Sequence, residues 1–540
     1  MTTTTTTLTT TTTLAAALAL VAVSVALVNR NRKLSKPLPP GPPETSFILG
    51  NASVFPRPPS EWLKYEALSK AYGPVSHIRA FDKHVIILNT MKSAVDLLEK
   101  RGANYSDRAQ LPLIGDLMGF NWVITTMPYG DYWRLNRRAL HQHFNESAVK
   151  SLRGKQERLN ARFLTALLDT PEGWWSFTHW LAGANILSAV YGMEDTKLKD
   201  DPWIQLGEDT LQSLNVVTNE GFQLVDIFPS LKYIPSWFPG AGFKRRARKI
   251  YELQIRARER PFAWVKEHIA SGTAVASITS ALIDTEVDGV PLPEDVAKNC
   301  TGVAYIAGAD TTLSAIKSFF LAMVRNPEVQ KKAQAEVDRV IPADQLPCLA
   351  DRDAGSLPYL EAVLREVYRK YPPIPLGECR VTGSLAPADV LCTIGIPHQG
   401  MQEDEYEGMR IPAGSLFVAN IWSIMRDEEI FPQPESFRPE RFLTSDNALD
   451  KNMLDPRHAV FGFGRRICPG RYFADAELWL MAASVLSCFD ILPALDANGV
   501  EILPSEEVTQ GTVVAPVQFH CRIVPRAPAK RSLILSASEQ

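Results

Sequence analysis

The chain has 540 residues, of which 45% are hydrophobic and 22% charged, proportions that exclude a protein disordered or fibrous throughout. Lysine and arginine total 57 against 60 for aspartate and glutamate, a formal net charge of -3 that argues against a nucleic-acid-binding protein. Seven cysteines occur without a Cys-x-x-Cys pair, which indicates reduced thiols rather than a disulfide framework or a zinc site.

The chain begins with a threonine-rich segment and a charge-free apolar run over residues 14–28. Together they predict a transmembrane anchor over residues 1–29, with the span at about residues 8–28. Basic residues follow at once, and this positive charge predicts that the rest of the chain faces the cytosol. A cleaved signal peptide is the competing interpretation, but the residues before the apolar run are uncharged, where a signal peptide is normally basic.

Residues 30–46 are basic and rich in proline, which predicts a stiff linker between the membrane and a globular body. The body, residues 47–527, shows no internal repeat, and helical spacing of apolar residues dominates it. Short strand-like runs lie between the helices. These patterns predict one mainly α domain with small β-sheets, followed by a loose tail over 528–540. The clearest helices are predicted over 60–71, 91–101, 148–168, 243–270 and 327–340, and the strands over 75–79, 85–89, 416–420 and 517–523.

Trp133 and Arg137 are the first notable pair, because their spacing of four residues places both on one face of a helix. A long helix is predicted over 301–324, with Gly308, Asp310 and Thr311 near its middle. The glycine and the threonine hydroxyl can loosen the backbone ladder, and the carboxyl with the hydroxyl can form a proton relay. An ordinary buried helix is the alternative interpretation of this segment.

Glu366 and Arg369 are three residues apart, so they share a helix face and can form an ion pair. This pattern alone is weak, since many charged helices contain it. A later Phe-Arg-Pro-Glu-Arg-Phe segment, residues 437–442, supplies Arg441 as a candidate third member of the same cluster.

The most informative segment is Phe-Gly-Phe-Gly-Arg-Arg-Ile-Cys-Pro-Gly at residues 461–470. Cys468 precedes a predicted helix, whose unpaired N–H groups and dipole stabilise a thiolate. Gly464 and Gly470 permit a close approach to a flat ligand, and Arg466 suits a carboxylate. A buried structural cysteine in a glycine-rich loop is the alternative. The loop has every specified position of the FxxGxRxCxG pattern, and with the segments above the chain resembles the cytochrome P-450 family.

This resemblance implies the cytochrome P-450 fold and one haem b (heme b, iron protoporphyrin IX), with Cys468 as axial ligand of the iron. It implies that Asp310 and Thr311 deliver protons, and that Glu366, Arg369 and Arg441 are structural. Electrons are expected from NADPH through a separate reductase, because no Gly-x-Gly-x-x-Gly fingerprint occurs in this chain; cytochrome b5 is an optional second partner. The remaining expected haem contacts are Trp133, Arg137, Gly308, His398, Phe461, Gly464, Arg466 and Gly470.

The chain departs from the family's pattern at residues 378–395, which have no counterpart there. A surface insertion is one explanation, since loop entropy permits it at small cost. An intron retained in the coding sequence is the other, because removing the segment joins Gly377 smoothly to residues 396–398. The departure puts the expected propionate contact of His398 in doubt.

The leading hypothesis is a haem monooxygenase that inserts one oxygen atom from dioxygen into a lipophilic small molecule. By analogy with fungal relatives, the substrate is expected in secondary metabolism, as a terpenoid, polyketide or aromatic compound. The expected location is the endoplasmic reticulum membrane, crossed once, with the catalytic domain in the cytosol. Two alternatives stay open: a haem-thiolate enzyme that isomerises or dehydrates peroxides, and an inactive haem-binding membrane protein.

Overall fold

The computed structural model of the chain describes residues 36–47, 49–51, 61–220, 224–287, 289–376 and 397–538. The predicted anchor at 1–29, the basic residues 30–35 and the unusual segment 378–395 lie outside these residues. Within the described ranges, no helix combines the length and the apolar character needed to cross a bilayer.

The first part of the body provides three strands of the main sheet and two helices. Helix α1 and the first three strands occupy Glu61–Tyr72 (α1), Val75–Ala80 (β1), Lys83–Leu88 (β2) and Asp107–Arg108 (β3). Helix α2, Met91–Ala94, begins at Thr90, whose hydroxyl accepts the N–H of Ser93, and it continues as a π-helical turn over Val95–Lys100. This part of the chain therefore follows the strand and helix predictions closely.

The middle of the chain is helical. Its elements are Asp131–Phe144 (α3), Arg153–Asp169 (α4), Trp174–Tyr191 (α5), Pro202–Glu220 (α6), Leu224–Ile227 (α7), Gly242–Ser271 (α8), Ile278–Ile283 (α9), a hairpin of Glu286–Val287 (β4) and Val290–Pro291 (β5), Glu294–Arg325 (α10), Pro327–Val340 (α11), Leu349–Asp353 (α12) and Pro358–Lys370 (α13).

The last part alternates short strands and helices. Its elements are His398–Gln399 (β6), Asp404–Tyr406 (β7), Met409–Ile411 (β8), Leu416–Ala419 (β9), Ile421–Ile424 (α14), Arg457–Val460 (α15), Arg471–Cys488 (α16), Phe489–Leu495 (β10), Glu501–Ile502 (β11), Cys521–Pro525 (β12) and Pro528–Ser538 (α17). The prediction of a mainly helical fold with small sheets is confirmed.

The main sheet has five strands in the order β1-β2-β9-β6-β3. Strands β1 and β2 form an antiparallel hairpin in which Val75 faces Leu88, whereas β2 and β9 run parallel, with Val85 beside Leu416. Strand β6 pairs antiparallel with β9, and His398 lies opposite Phe417. The pairing of β6 therefore places His398 inside the sheet.

Helix α10 passes through the largest hydrophobic core and packs against α3, α5, α8 and α16. It is 32 residues long and begins seven residues before the predicted start at 301, because Pro293 precedes it and Glu294 and Asp295 favour its first turn. It ends at Arg325, before the Asn326-Pro327 step, where a proline disfavours the helical conformation of the preceding residue.

Two segments at the ends of the body make packing contacts that the sequence does not predict. Residues 36–46 of the predicted linker pack on the body, since the carbonyl of Pro40 accepts the N–H of His77 and that of Pro37 accepts the N–H of Arg410, each over 2.8 Å. The predicted loose tail instead forms helix α17 over Pro528–Ser538, because Ile534 is buried completely against the body. Both segments gain packing partners that their own composition does not indicate.

Candidate active site

Cys468 lies in the loop that precedes α16, and a main-chain hydrogen bond closes this loop. The N–H of Cys468 donates to the carbonyl of Phe461 over 2.8 Å, and the Phe461 ring packs against Tyr368 with centroids 5.5 Å apart. Helix α16 begins at Arg471, with Gly470 at its N-cap. Cys468 is partly exposed. The loop therefore fixes the backbone around a cysteine that is not fully buried.

The two glycines predicted to approach a ligand have different surroundings. Gly464 has a φ of +55°, and a Cβ built on it would lie 2.2 Å from the carbonyl oxygen of Leu98. Its close approach among the described residues is to the backbone after α2. A Cβ on Gly470 would meet only the sulfur of Cys468, at 4.0 Å, among the described residues. Gly470 therefore leaves open space beside the thiol.

Arg466 is held by three backbone carbonyls. Its guanidinium donates to the carbonyls of Ser106, Ile124 and Met127 over 2.7 to 2.9 Å and lies 4.4 Å above the Trp133 ring. The indole N–H of Trp133 donates to the carbonyl of Ile124 over 3.1 Å. This arrangement places a fixed positive charge between the cysteine loop and the segment after β3.

Arg137 extends from α3 to the cysteine loop, where it donates to the carbonyl of Ile467 over 2.6 Å. Burial lowers the pKa of Arg137 to about 10, while the charge of Cys468 acts in the opposite direction and that of Arg471 adds to the lowering. In the described part of the chain no carboxylate shifts the pKa of Arg137. An anion placed beside this guanidinium would stabilise its charged form.

His398 is buried, with 8% of its surface exposed, and its Nδ1 lies 2.7 Å from the carbonyl oxygen of Tyr105. Burial lowers the pKa of His398 far below its usual range, and the charges of Arg108 and Arg466 lower it further. The ring is therefore neutral at pH 7 with its proton on Nδ1, since a carbonyl can only accept. A carboxylate near Nε2 would favour the protonated ring.

These donors fit a haem by their chemistry. Cys468 offers the thiolate that ligates haem iron in this kind of site. Arg137 and Arg466, with the buried Arg108, provide positive charge for the two propionates that a haem carries, and a propionate beside Nε2 would favour the protonated form of His398. The expected contacts at Trp133, Arg137, His398 and Arg466 are thus brought to one region around the cysteine loop.

Helix α10 carries the predicted proton relay on an unbroken stretch of helix. Ala307 is exposed although Val303 and Ile306 are buried, so one face in the middle of this helix is open. The Thr311 hydroxyl donates to the carbonyl of Ala307 over 3.1 Å. A Cβ on Gly308 would lie 2.8 Å from Ile186 of α5. The small size of Gly308 therefore allows two helices to pack closely.

Asp310 is a largely buried carboxyl beside several charged groups. Burial raises the pKa of Asp310, whereas electrostatic interactions with Lys317 and His179 lower it and Glu208 raises it. The net shift is upward, so Asp310 keeps a proton at higher pH than an ordinary aspartate. A carboxyl of this kind is suited to give and regain protons.

The three predicted structural residues form one buried ion cluster. Arg369 donates to both carboxylate oxygens of Glu366 over 2.7 and 2.9 Å, and Nε of Arg441 donates to Oε1 of Glu366 over 3.2 Å. Glu366 and Arg369 are fully buried. Backbone carbonyls of the 425–436 segment accept the other guanidinium hydrogens. The cluster joins α13 to the segment that precedes the cysteine loop.

Two features of the site were missed by reading the sequence. Arg108 lies in β3, and no local pattern distinguishes it from a surface arginine. Lys317 lies on α10 seven residues after Asp310, a spacing that keeps both near one face of the helix and could have been noticed. The partner of Lys317, His179, comes from a distant part of the chain, and only the fold brings it near.

The sequence model of the Cytochrome P450 family matches residues 39–385 and 389–518. The match begins in the proline-rich segment that packs on the body. It ends at residue 518, after β11 and three residues before β12. It therefore covers the cysteine loop, helix α10 and the buried ion cluster.

Curated fungal proteins are similar over nearly the whole chain. Cytochrome P450 monooxygenase 136 of Postia placenta is 40% identical over 508 residues, which cover 93% of this chain and 91% of that protein. Cytochrome P450 monooxygenase ple1 of Rhodocybe pseudopiperita is 40% identical over 503 residues, with 92% and 91% covered. Cytochrome P450 monooxygenase claR of Ampulloclitocybe clavipes is 36% identical over 500 residues, with 92% and 88% covered. The chain therefore belongs to the cytochrome P450 family and is a monooxygenase of that family.

Proposed function

We propose that this monooxygenase oxidises a lipophilic small molecule of fungal secondary metabolism, a terpenoid, polyketide or aromatic compound. Electrons come from NADPH through a separate reductase, with cytochrome b5 as an optional second donor. The observation that carries the proposal is the placement of a partly exposed Cys468 beside Arg137, in a loop closed by its own backbone.

The haem, when bound, supplies the activation of dioxygen and the transfer of one oxygen atom. Cys468 would bind the iron, and Arg137 with Arg466 would hold the propionates. Asp310 gives and regains a proton, since burial raises its pKa, and the Thr311 hydroxyl passes the proton on near Ala307. These groups deliver protons while the apolar residues of α10 exclude bulk water.

The substrate class follows from the apolar character of the segments that surround the site in this family. Phe120 is fully buried, and Trp122 packs against the main core. On the helix, Val303 and Ala307 add apolar surface beside Thr311. A small molecule with few charges would lose least solvation free energy on entering such surroundings.

We propose that the chain is held in the endoplasmic reticulum membrane by residues 1–29, with the catalytic domain facing the cytosol. The charge pattern of the sequence supports this orientation. Exposed aromatic side chains before α8 support contact with a lipid surface, since Tyr233 and Trp237 are each 78% exposed. A fusion of residues 1–36 to a fluorescent reporter should localise to the endoplasmic reticulum. A diffuse reporter signal would contradict the anchor.

The thiolate assignment is tested by a carbon monoxide difference spectrum of reduced membranes. The wild type should show the band of a thiolate-ligated haem, and Cys468→Ser should lose it. Cys348→Ser, a change at a partly exposed cysteine outside the site, is the matched control and should keep the band. Retention of the band in Cys468→Ser would contradict the assignment.

The substrate is tested by metabolite profiling of a host that expresses the chain with a reductase. New oxidised metabolites should appear with the wild type and should be absent with Cys468→Ser. Products formed from a peroxide without NADPH would favour the peroxide-rearranging alternative. A haem-containing wild type that consumes no NADPH would favour the inactive alternative.

A further inference from the structure

Lys317 of α10 is an unusual lysine, because only 5% of its surface is exposed. Burial lowers the pKa of Lys317 to about 8, although the negative charges of Asp310 and Glu208 act in the opposite direction. An ammonium group loses solvation free energy when it is buried, so it persists only where specific partners compensate. The position of Lys317 beside the proton relay indicates more than a packing role.

Its partners form a hydrogen-bonded row across three helices. Nζ of Lys317 lies 2.8 Å from Nε2 of His179 on α5, and 4.0 Å from the centre of the Trp175 ring. Nδ1 of His179 lies 2.9 Å from Oε1 of Glu208 on α6. A carboxylate only accepts, so Nδ1 carries the imidazole proton and Nε2 accepts from the ammonium group. The hydrogen-bond donors of this row therefore all point the same way, from Lys317 through His179 to Glu208.

The row connects the surface with Asp310. The side chains of His179 and Glu208 are 35% and 31% exposed, so solvent reaches this end. Asp310 lies two helical turns before Lys317, a distance of about 10 Å along the axis. A helical lysine side chain points back toward the N-terminus, which brings the ammonium group closer to Asp310. The charge of Lys317 lowers the pKa of Asp310, so the two groups interact electrostatically.

We propose that Lys317 restores the proton of Asp310 during turnover, while His179 and Glu208 hold Lys317 in place for that step. An N–H bond of the ammonium group breaks, an O–H bond forms on the Asp310 carboxylate, and a neutral amine remains. The amine regains its proton from the solvent that reaches His179. Lys317 acts through Asp310 and is thus a positioning residue, and the inference rests on the proposed monooxygenase chemistry.

Three substitutions separate proton supply from other roles. Lys317→Met removes both charge and proton, whereas Lys317→Arg keeps a positive charge that gives up no proton at neutral pH. Lys298→Met is the matched control, because Lys298 lies on the same helix but pairs with Glu259 and Glu294 away from the relay. Haem content, measured for all four proteins, normalises the results.

The assay uses NADPH and a reductase without added substrate, so that dioxygen is reduced either to hydrogen peroxide or fully to water. Full reduction needs a timely proton at the site. We expect the ratio of water to peroxide to fall about 10-fold or more in both Lys317 variants. This change is smaller than the rate enhancement that a positioned acid–base group usually contributes. The ratio in the wild type should fall above pH 8, and that pH dependence should vanish in Lys317→Met.

A second measurement does not depend on turnover. Because the pKa of Lys317 is lowered from 10.5 to about 8, the unfolded chain binds more protons than the native protein between these values. The wild type should therefore gain stability relative to Lys317→Met as the pH rises from 8 to 10.5. The ratio of their unfolding constants should change by up to about 10²-fold.

A wild-type ratio of water to peroxide in Lys317→Met would overturn the proposal. The same result in Lys317→Arg would overturn it too, because it would show that a positive charge alone suffices. An unchanged difference in stability from pH 8 to 10.5 would also overturn it, because Lys317 would then not release its proton in this range. A wild type that consumes no NADPH would instead count against the monooxygenase function, and the stability measurement would still decide whether Lys317 titrates as proposed.

Discussion

Gly462 and Gly464 have similar left-handed backbones in the cysteine loop but different surroundings. Their φ angles are +77° and +55°. A Cβ on Gly462 would have no described atom within 4 Å, whereas a Cβ on Gly464 would overlap the backbone of Leu98 and Glu99. A substitution at the first position thus reports conformational strain alone, and one at the second adds a steric clash.

We expect Gly462→Ala to cost about 1–2 kcal/mol, the usual penalty of a left-handed alanine. Gly464→Ala should cost about 1–3 kcal/mol more, because backbone cannot rotate aside as a side chain can. Denaturant unfolding of the haem-loaded proteins measures both values, and haem content should fall further in Gly464→Ala. Equal losses for the two variants would show that the loop and the 98–99 segment separate easily.

Single residues also show what a motif can and cannot predict. Cys468 and the Glu366 cluster were found because their spacing is fixed along the chain. Gly308 packs against Ile186, a contact that the sequence pattern does not show, since the packing partner of a helix face is not encoded in the spacing of that face. Similarly, the neutral state of His398 depends on burial and on Arg108, which no sequence pattern shows.

At the scale of elements, a buried ionic cluster joins four helices behind the cysteine loop. The carboxylate of Asp475 on α16 accepts from Arg352 of α12 over 2.5 Å and from Arg457 of α15 over 2.8 Å. Both arginines also approach Glu361 of α13. Because Asp475 follows Cys468 by only two helical turns, this cluster fixes the start of α16 relative to its neighbours.

Asp475→Asn should cost about 3–5 kcal/mol at pH 7, because it leaves two buried guanidinium groups without their shared anion. Burial raises the pKa of Asp475, but Arg352 and Arg457 together outweigh it and hold the pKa below the usual 3.8. The stabilisation is therefore present above pH 3.8 and is lost as the pH falls below that value.

Unfolding free energies measured from pH 7 down to pH 3 test this expectation. The wild type should lose stability more steeply than Asp475→Asn at the acidic end. Asp446→Asn, at an exposed aspartate, is the control and should follow the wild type. Parallel curves for the wild type and Asp475→Asn would contradict the role of the carboxylate.

Helix α17 offers a second prediction at this scale. Ile534 is fully buried and its neighbour Leu535 is 37% exposed. Ile534→Ala should cost about 2–4 kcal/mol through lost burial and an unfilled cavity, and Leu535→Ala should change stability by less than about 1 kcal/mol. Denaturant unfolding of the two variants measures both changes in stability. Equal and small effects would mean that the helix does not stabilise the body.

At the scale of the whole molecule, the described residues on either side of the unusual segment 378–395 lie close to the same strand. Leu376 packs in one cluster with Val418 of β9, and the carbonyl of Pro375 accepts the N–H of Trp422 just after that strand. From the other side, the pairing of His398 with Phe417 places Pro397 beside Val418. The fold around β9 is therefore compatible with a short connection.

Deletion of residues 378–395 should leave the fold intact and raise stability by up to about 2 kcal/mol, because a shorter loop loses less entropy on closing. The deleted protein should bind at least as much haem as the full chain, measured as the ratio of haem to protein. A deleted protein that fails to fold or bind haem would show that the segment contributes to the structure. Sequencing of the transcript separately decides between an insertion and a retained intron.

The sequence by itself determined the helical class, most element positions, the cysteine loop and the family, because local spacing and turn-forming residues fix these features. The tertiary structure alone decided which charges meet: Arg108 and Arg466 beside His398, and His179 beside Lys317. It also decided that residues 36–46 and helix α17 join the body. The physical reason is that burial and pairing depend on contacts between distant segments, and these contacts set the protonation states on which proton delivery depends.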